Sequence, residues 1–500
     1  MTENKRKQWS LTAARRETGG GGRGKNNFLT CLLLAGLAWE CPPVQSASAR
    51  PNILFICTDQ QRNDIMSCSG NPYLKTPAMD SLAARGVRYT QSFCAFPVCS
   101  PSRANHFTSR MGYEIGITGN SQRLPEGLPG MGSLFQAAGY HTVWTGKWHL
   151  PSSFPTQQGE IPGFEILAEE HSSQGAKRAK GGNKGEAVKD LDEAGAGGTQ
   201  RDPGATAAAI RFLKQKHDQP FLLVVSLLNP HDICYFTDTT PQKVKLPADP
   251  AKLPSAPANA NAPDHSPESF GKGAVQRNSG VTWGALTLQQ QLYYYHRLTE
   301  RVDALIGQVL AALREAGLEE NTLVLFTSDH GEMAGAHQRI RKMALYEEAI
   351  SVPFIVAGPG VPRGRVDATH LVSGLDVLPT LCDFAGIPGP PQARGLSVRK
   401  IQDDSSAPWR EVVFAQLGPT GGRMARTARY KYNLYEGNVP ELFDLQADPG
   451  ETKNLAADPA QAATLAAHRQ LLQDWMAKTS DPFASLSSSV NAKSKRKKGR

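Results

Sequence analysis

The sequence has 500 residues, 40% of them hydrophobic, and a formal net charge of +9. This length and apolar content suffice for one large domain or for two domains with their own cores. The charge is confined to the ends: residues 1–49 hold seven basic and three acidic side chains, and residues 481–500 hold six and one, which leaves 42 of each between them. A neutral body argues against a nucleic-acid-binding protein, and residues 481–500 are predicted to be a disordered basic tail.

The first 49 residues have the pattern of a signal peptide. A cationic region over 5–25 precedes an apolar run over 28–39, and the small residues at 46–49 offer a cleavage site before Arg50. We therefore expect export to the periplasm or the extracellular space. An uncleaved anchor is the alternative, but the apolar run is short for a membrane span, so no stable membrane span is expected.

Short apolar runs alternate with helical patterns along the body of the chain. Continuous apolar runs of this length are typical of parallel strands that are buried on both faces. The predicted strands cover 51–57, 140–146, 221–228, 322–327 and 352–356. The predicted helices cover 76–85, 133–138 and 292–313, with another beginning near Cys99. Residues 172–205 are predicted to be an exposed insertion, and 241–267 a surface excursion that borders the substrate site.

Beyond residue 388 the strands become shorter and more polar. They cover 411–415, 430–434 and 442–445, and a helix over 459–477 follows with Asp458 as its N-cap. The predicted fold is α/β: a doubly wound, mostly parallel sheet flanked by helices, with a smaller C-terminal antiparallel sheet plus helix. The predicted domains are a catalytic domain over 50–390 and a C-terminal α+β subdomain over 391–480, between the signal peptide and the tail.

Polar side chains gather where the apolar strands end. They are Asp59, Lys147, His149, His231, Asp329 and His330. Because ligands bind at the carboxyl edge of open parallel sheets, a doubly wound sheet would bring these side chains to one rim.

Two kinds of chemistry are represented at this rim. The carboxylates of Asp59 and Asp329, the Gln60 amide and the His330 imidazole suit a hard divalent cation such as Ca²⁺ or Mg²⁺. The remaining residues could hold an anion and protonate a leaving oxygen: they are Lys147, His149, His231 and Lys342. Each residue alone also has an ordinary explanation as a turn cap, a surface charge or a core histidine.

The stretch Cys99-Ser100-Pro101-Ser102-Arg103 places a thiol at a predicted helix start. Pro101 suits a first helical turn, where free backbone N–H groups and the helix dipole favour an anion, and Arg103 adds a cation one turn away. A buried structural cysteine is the alternative. The cysteines after the predicted leader are too widely spaced for a dense disulfide framework.

Residues 51–456 resemble the type I sulfatases of the alkaline-phosphatase-like superfamily. The matching strings stand in family order: PNILFICTDQ, CSPSR, GYHTVWTGKWH, NPHD, TLVLFTSDHGE, RKMALYEEAISVP, GLDVLPTLCDFAGIP, RTARYKY and ELFDLQADPGETKNL. C-x-P-S-R followed by G-K-x-H and S-D-H-G is a highly specific combination.

The resemblance implies hydrolysis of sulfate esters, with a sulfated small molecule or carbohydrate as substrate. Cys99 would be oxidised by a formylglycine-generating maturation enzyme, and the hydrated aldehyde would be the nucleophile. One divalent metal, Ca²⁺ or Mg²⁺, would be held by Asp59, Gln60, Asp329 and His330. The other implied roles are stabilisation of the nucleophile by Arg103, binding of sulfate oxygens by Lys147 and Lys342, protonation of the leaving alcohol by His231 with Lys342, and assistance to the diol by His149.

The chain departs from the common family pattern at several positions. Gln60 stands where many members have Asp, His330 where many have Asn, and Ser109 where the maturation signal usually has Gly. Tyr113-Glu114 lies in a region that commonly carries Pro-His and is expected to touch substrate. Two alternatives therefore remain: a phosphonate monoester or phosphodiester hydrolase of the same superfamily, and an unmatured glycan-binding protein without activity.

Overall fold

The computed structural model describes residues 50–155, 157–169, 198–236, 247, 249–265, 285–419, 421–437 and 439–483. The predicted signal peptide and most of the predicted insertion lie outside these ranges. Residues 484–500 of the predicted tail also lie outside the described ranges. The division into a catalytic domain and a C-terminal subdomain stays a prediction.

The large sheet has eight strands in the order β5-β4-β6-β1-β7-β8-β2-β9. The first nine strands of the chain include them: β1 Asn52–Asp59, β2 Gly86–Tyr89, β3 Ser92–Phe93, β4 His141–Gly146, β5 Glu165–Ile166, β6 Phe221–Pro230, β7 Thr322–Ser328, β8 Phe354–Ala357 and β9 Arg365–Asp367. Five neighbouring strands, from β5 to β7, run parallel, and β8 alone is antiparallel to both of its neighbours. The predicted mostly parallel sheet is confirmed.

Helices cover both faces of this sheet. The helices that precede the small C-terminal sheet in the chain are α1 Pro77–Arg85, α2 Cys99–Thr108, α3 Met131–Ala137, α4 Gly198–Leu213, α5 Ala285–Glu315, α6 Glu347–Ile350, α7 Val377–Phe384 and α8 Arg399–Asp403. Ile53 and Phe55 of β1 pack on one side with α2, α3 and α7, whereas Leu54 and Ile56 pack on the other with α1, α4 and α5. Burial of successive residues on opposite faces explains the continuous apolar runs and confirms the doubly wound arrangement.

A four-stranded antiparallel sheet and a helix follow near the C-terminus. The remaining elements are β10 Val372–Ser373, which pairs with β3, then β11 Val413–Leu417, β12 Gly422–Arg426, β13 Tyr430–Tyr435, β14 Val439–Asp444 and α9 Ala462–Thr479. The predicted cap is present, since the Asp458 side chain accepts a hydrogen bond from the Ala460 N–H. Strand β12 is an addition, because the sequence analysis placed only three strands here.

The helix α4 corrects the predicted insertion, because its residues 198–205 were expected to be exposed and irregular. The sequence does not indicate this helix, because Pro203 and the neighbouring glycine are unfavourable inside a helix. Its first turn is fixed from a distance: the Asp232 carboxylate accepts the N–H groups of Gly198 and Thr199 at 3.0 and 2.9 Å. No helix in the described ranges is both long and apolar enough to cross a membrane.

A buried ion pair joins the small sheet to the residues after α9. The Arg423 guanidinium is 1% exposed and donates to both carboxylate oxygens of Asp481, at 2.6 and 2.8 Å, while Phe483 lies under it. Asp481 and Phe483 were expected in the tail and are buried in the structure.

We expect Arg423→Met to lower the free energy of unfolding by about 3–5 kcal/mol, because the substitution leaves the Asp481 carboxylate buried without its cation. Denaturant unfolding of the full chain measures this loss. Lys216→Met is the control: Lys216 pairs with Asp218 at the surface, where both side chains are exposed, so the unfolding curve should not move. An equal effect of both substitutions would contradict the prediction.

Candidate active site

Four parallel strands bring the candidate residues to one edge of the large sheet. Asp59 is the last residue of β1, and Asp329 and His330 follow β7 directly. Lys147 and His149 follow β4, and His231 follows β6. Gly146, the last residue of β4, has φ +88°, and a Cβ there would lie 1.9 Å from the Ser226 carbonyl oxygen. The sheet therefore places these polar groups side by side, as the sequence predicts.

Cys99 is the first residue of α2, at the edge where these strands end. Val98 before it is extended, with φ −149° and ψ 138°, so the helix begins exactly at the thiol-bearing residue. The Cys99 side chain is 1% exposed. Its Sγ lies 3.2 Å from His330 Nε2 and 3.8 Å from Asp59 Oδ1. The thiol therefore faces the cluster of polar side chains, and the position is not that of a cysteine packed only among apolar groups.

Arg103 lies one turn further along α2 and binds both buried carboxylates. Its Nη2 donates to Asp59 Oδ2 and its Nε to Asp329 Oδ2, each at 3.0 Å. Its Nη1 donates to Ser226 Oγ at 2.6 Å and to the Lys147 carbonyl at 3.2 Å. The guanidinium thus fixes the two carboxylates relative to each other.

Two lysines add positive charge to the cluster through different partners. Lys147 Nζ donates to Asp59 Oδ2 at 2.5 Å, and Lys342 Nζ donates to the Gln60 side-chain oxygen at 2.6 Å. Lys147 is 2% exposed, and Lys342 is partly buried. Together with Arg103 they make a setting in which an anionic group can be held.

A buried set of ligand atoms could hold a metal ion. Ligand atoms of Asp59, Cys99, Asp329 and His330 all lie within 4.8 Å of one another. His330 Nδ1 lies 2.9 Å from the Gly331 carbonyl and donates to it, which leaves the lone pair of Nε2 directed toward Cys99. Two carboxylates and one imidazole, with the Gln60 amide oxygen nearby, fit a divalent cation that prefers oxygen ligands.

Burial and charge shift the pKa values of these groups in opposite directions. Burial raises the pKa of Asp59, but Lys147, then His231 and Arg103, outweigh it and hold the pKa well below its usual value. Burial, followed by the Asp59 carboxylate, raises the pKa of Asp329 to about 6. The two carboxylates therefore lose their protons at different pH, Asp59 before Asp329.

The charged groups around Cys99 lower the pKa of its thiol. Burial and the Asp59 carboxylate raise its pKa, but Lys147, Lys342 and His330 outweigh both and hold it well below its usual value. The site therefore favours negative charge at this side chain.

The two remaining histidines lie at the same rim. Burial and Lys342 lower the pKa of His231, whereas Cys234 and Asp59 raise it, with a net rise to about 9. Burial lowers the pKa of His149, and the neighbouring Cys99 side chain only partly offsets this effect. The Nδ1 atoms of both rings are buried without a hydrogen-bond partner among the described residues. His231 is therefore suited to donate a proton.

The structure adds three side chains that the sequence analysis did not assign. Ser226 binds Arg103, while Cys234 and Glu332 both contact the Gln60 amide. Glu332 follows Ser328-Asp329-His330-Gly331, so its place directly after the predicted ligands was a usable signal. Ser226 lies inside an apolar strand, where only its hydroxyl distinguishes it.

The departures at 109 and 113–114 lie in structural contacts. Ser109 ends α2 with φ 57°, and its hydroxyl donates to the Leu375 carbonyl at 2.7 Å. Tyr113 donates to Thr479 Oγ1 at 2.5 Å, and Glu114 binds Arg394 at 2.6 Å. The positive φ explains why glycine is common at position 109 in the family.

Comparison with known proteins extends these observations to almost the whole chain. The family model described as Sulfatase matches residues 51–387, and the one described as N-sulphoglucosamine sulphohydrolase, C-terminal, matches residues 335–478. A Delta 4,5-hexuronate-2-O-sulfatase of Bacteroides thetaiotaomicron is 31% identical in an alignment of 474 positions that covers 89% of this chain and 93% of the relative.

Solved structures share the fold. A 2-O GAG sulfatase superposes with a TM-score of 0.73 at 28% identity, covering 87% of this chain and 94% of its own. A phosphonate monoester hydrolase of Agrobacterium radiobacter superposes with a TM-score of 0.70 at 24% identity, covering 86% and 96%. Because the Sulfatase model covers more than half of the sequence and a named sulfatase matches most of it, the chain belongs to the type I sulfatase family and is a sulfuric ester hydrolase.

Proposed function

We propose that this protein hydrolyses sulfate esters of a carbohydrate through a formylglycine made from Cys99. The observation that carries the proposal is the position of the Cys99 side chain: it starts a helix, faces His330 and Asp59, and lies among the charges of Lys147, Lys342 and Arg103. A group at that point is suited to attack an anionic ester whose charge the surrounding cations offset.

The substrate class is inferred from the relatives. The similar proteins include a hexuronate 2-O-sulfatase, and a solved neighbour is a 2-O GAG sulfatase. Both names refer to sulfate on sugars, which supports a sulfated carbohydrate here. The signal-peptide pattern of residues 1–49 supports export to the periplasm or the extracellular space, where such polymers are met.

In the proposed reaction, the hydrated aldehyde at position 99 supplies both oxygen atoms that the chemistry needs. One hydroxyl of the diol loses its proton and attacks the sulfur, and the bond from sulfur to the substrate oxygen breaks. The second hydroxyl then loses its proton, the bond between carbon and the sulfate oxygen breaks, and the aldehyde and free sulfate are released. Water hydrates the aldehyde for the next cycle, so the net reaction consumes one water.

The side chains around position 99 have separate proposed tasks. Arg103 stabilises the nucleophile and holds Asp59 and Asp329 in place, and Lys147 and Lys342 bind sulfate oxygens. His231 donates a proton to the leaving alcohol, for which a raised pKa suits it. His149 assists proton transfer at the diol.

Asp59, Gln60, Asp329 and His330 are the proposed ligands of one divalent metal, Ca²⁺ or alternatively Mg²⁺. When bound, the metal supplies a positive charge that polarises the sulfate group and favours the ionised diol. The oxygen-rich donor set supports this choice of ion.

We expect Cys99→Ala to reduce sulfate-ester turnover by several orders of magnitude, because the substitution removes the nucleophile and nothing else. The thermal unfolding midpoint should stay close to that of the parental protein. Mass spectrometry of the Cys99 peptide from the native host should show the aldehyde. Unmodified thiol in every molecule would instead support the glycan-binding alternative, for which Ser109 in the maturation signal is the motive.

Asp329→Asn should lower kcat/KM by at least about tenfold, because even residues that only support a metal ligand cost 10- to 100-fold when they are changed. Excess Ca²⁺ should restore part of the activity if the loss lies in metal binding. Assays over a series of CaCl₂ concentrations test this, with unfolding curves as the check on folding. Unchanged activity would remove Asp329 from the site.

A phosphonate monoester or phosphodiester hydrolase is the second candidate, because a phosphonate monoester hydrolase has the same fold and its substrate is also an anionic ester. We expect the matured protein to have a higher kcat/KM for an aryl sulfate than for the matched aryl phosphonate monoester. A preference for the phosphonate would replace the sulfatase proposal with the second candidate.

A further inference from the structure

Gln60 is the proposed metal ligand with an amide side chain, and the two ends of that amide are chemically opposite. The amide oxygen can accept a hydrogen bond or bind a cation, whereas the amide nitrogen can do neither. A rotation of the terminal amide by half a turn would exchange these ends. The orientation of this amide therefore decides whether Gln60 presents a cation-binding oxygen or an NH₂ group to the metal site.

The backbone of Gln60 is already fixed. Its N–H donates to Asp329 Oδ1 at 3.0 Å, and its carbonyl accepts the Tyr295 hydroxyl at 2.5 Å. The residue has φ 69°, a conformation that such contacts must maintain. With the backbone fixed, the rotation of the Gln60 side-chain amide has to be restricted by contacts of the amide itself.

Two charged partners restrict it. The amide nitrogen donates to Glu332 Oε2, and the amide oxygen accepts from Lys342 Nζ at 2.6 Å. The reverse orientation would set an NH₂ group against an ammonium group and an oxygen against a carboxylate. Cys234 Sγ lies 3.2 Å from the amide nitrogen and 3.3 Å from the amide oxygen. Because a thiol can accept from the nitrogen or donate to the oxygen, Cys234 does not favour either orientation of the amide.

Glu332 itself is held rigidly. It is 1% exposed, and its Oε1 accepts the N–H groups of Ala334 at 3.0 Å and Arg341 at 2.6 Å. Its own N–H donates to the Glu348 carbonyl at 3.0 Å. Because Arg341 precedes Lys342 in the chain, one carboxylate fixes the Gln60 amide and the segment that carries its cationic partner.

We propose that Glu332 is a positioning residue: it orients the Gln60 amide so that the oxygen is presented to Lys342 and, in the metal-loaded enzyme, to the metal. This inference rests on the proposed function for the metal, but it concerns a residue that touches neither substrate nor metal. Glu332 thereby lets a neutral glutamine serve where many family members have a carboxylate.

The test is the affinity for Ca²⁺ of full-length protein stripped with a chelator and titrated calorimetrically with CaCl₂. In Glu332→Gln, the new side chain keeps its oxygen on the two backbone N–H groups and turns its NH₂ toward the Gln60 NH₂. The Gln60 amide then rotates and directs its nitrogen at Lys342. We expect the dissociation constant for Ca²⁺ to rise by at least about tenfold.

A second substitution should restore the Ca²⁺ affinity that the first one lowers. In the double variant Gln60→Glu with Glu332→Gln, the new glutamine donates to one oxygen of Glu at position 60, and the other oxygen faces Lys342. The hydrogen bond is restored with donor and acceptor exchanged. We expect the dissociation constant to return to within about threefold of the parental value, a recovery that general damage to the fold would not allow.

Glu441→Gln is the matched control. Glu441 is also fully buried and also accepts from a side-chain amide, Asn433 Nδ2 at 2.8 Å, but it lies in the small sheet. This substitution should lower the thermal unfolding midpoint and leave the Ca²⁺ affinity unchanged.

Parental affinity in Glu332→Gln, or a double variant no tighter than Glu332→Gln, would overturn the inference. So would a parental chain that binds no Ca²⁺, and that result would also refute Ca²⁺ as the metal of the site. Turnover of sulfate esters is measured separately: loss and recovery of Ca²⁺ affinity in a protein that hydrolyses no sulfate ester would refute the proposed function and leave the role of Glu332 standing.

Discussion

The site depends on one buried guanidinium. Two carboxylates, Asp59 and Asp329, are buried together, and like charges at such short range oppose each other unless a cation lies between them. Arg103 supplies that cation from the first turns of α2, with one nitrogen on each carboxylate and a third on Ser226 and the Lys147 carbonyl. A single side chain thus joins α2 to β6 and to the ends of β1, β4 and β7.

The large sheet could be predicted because its central strands are buried on both faces. The runs in β1, β6 and β7 are almost purely apolar, and no other arrangement satisfies them as well. Strand β12 was not predicted because its sequence is not apolar. Its sequence contains Arg423 and Arg426, whose burial is possible because Asp481 and Glu347 pair with them from distant parts of the chain.

Helix α4 and Glu332 illustrate the same limit at a finer scale. The start of α4 is stabilised by Asp232, which follows it by more than thirty residues, so the local sequence with Pro203 points away from a helix. Glu332 binds Gln60 across the sheet edge, 272 residues apart in sequence. Residues at strand ends are recognisable because the sheet brings them together, whereas partners chosen by side-chain geometry become visible only in the folded structure.

The left-handed turn at Ser109 has a consequence for the order of events during biosynthesis. Ser109 is fully buried, its hydroxyl is bonded to the Leu375 carbonyl and to the Gly395 N–H, and Cys99 is 1% exposed. Residues 375 and 395 are synthesised long after 109. An enzyme that oxidises Cys99 and recognises Thr108-Ser109-Arg110 must therefore bind the segment 99–110 before residues 375 and 395 pack against it. If Cys99 is oxidised as proposed, that step has to precede the folding of this segment.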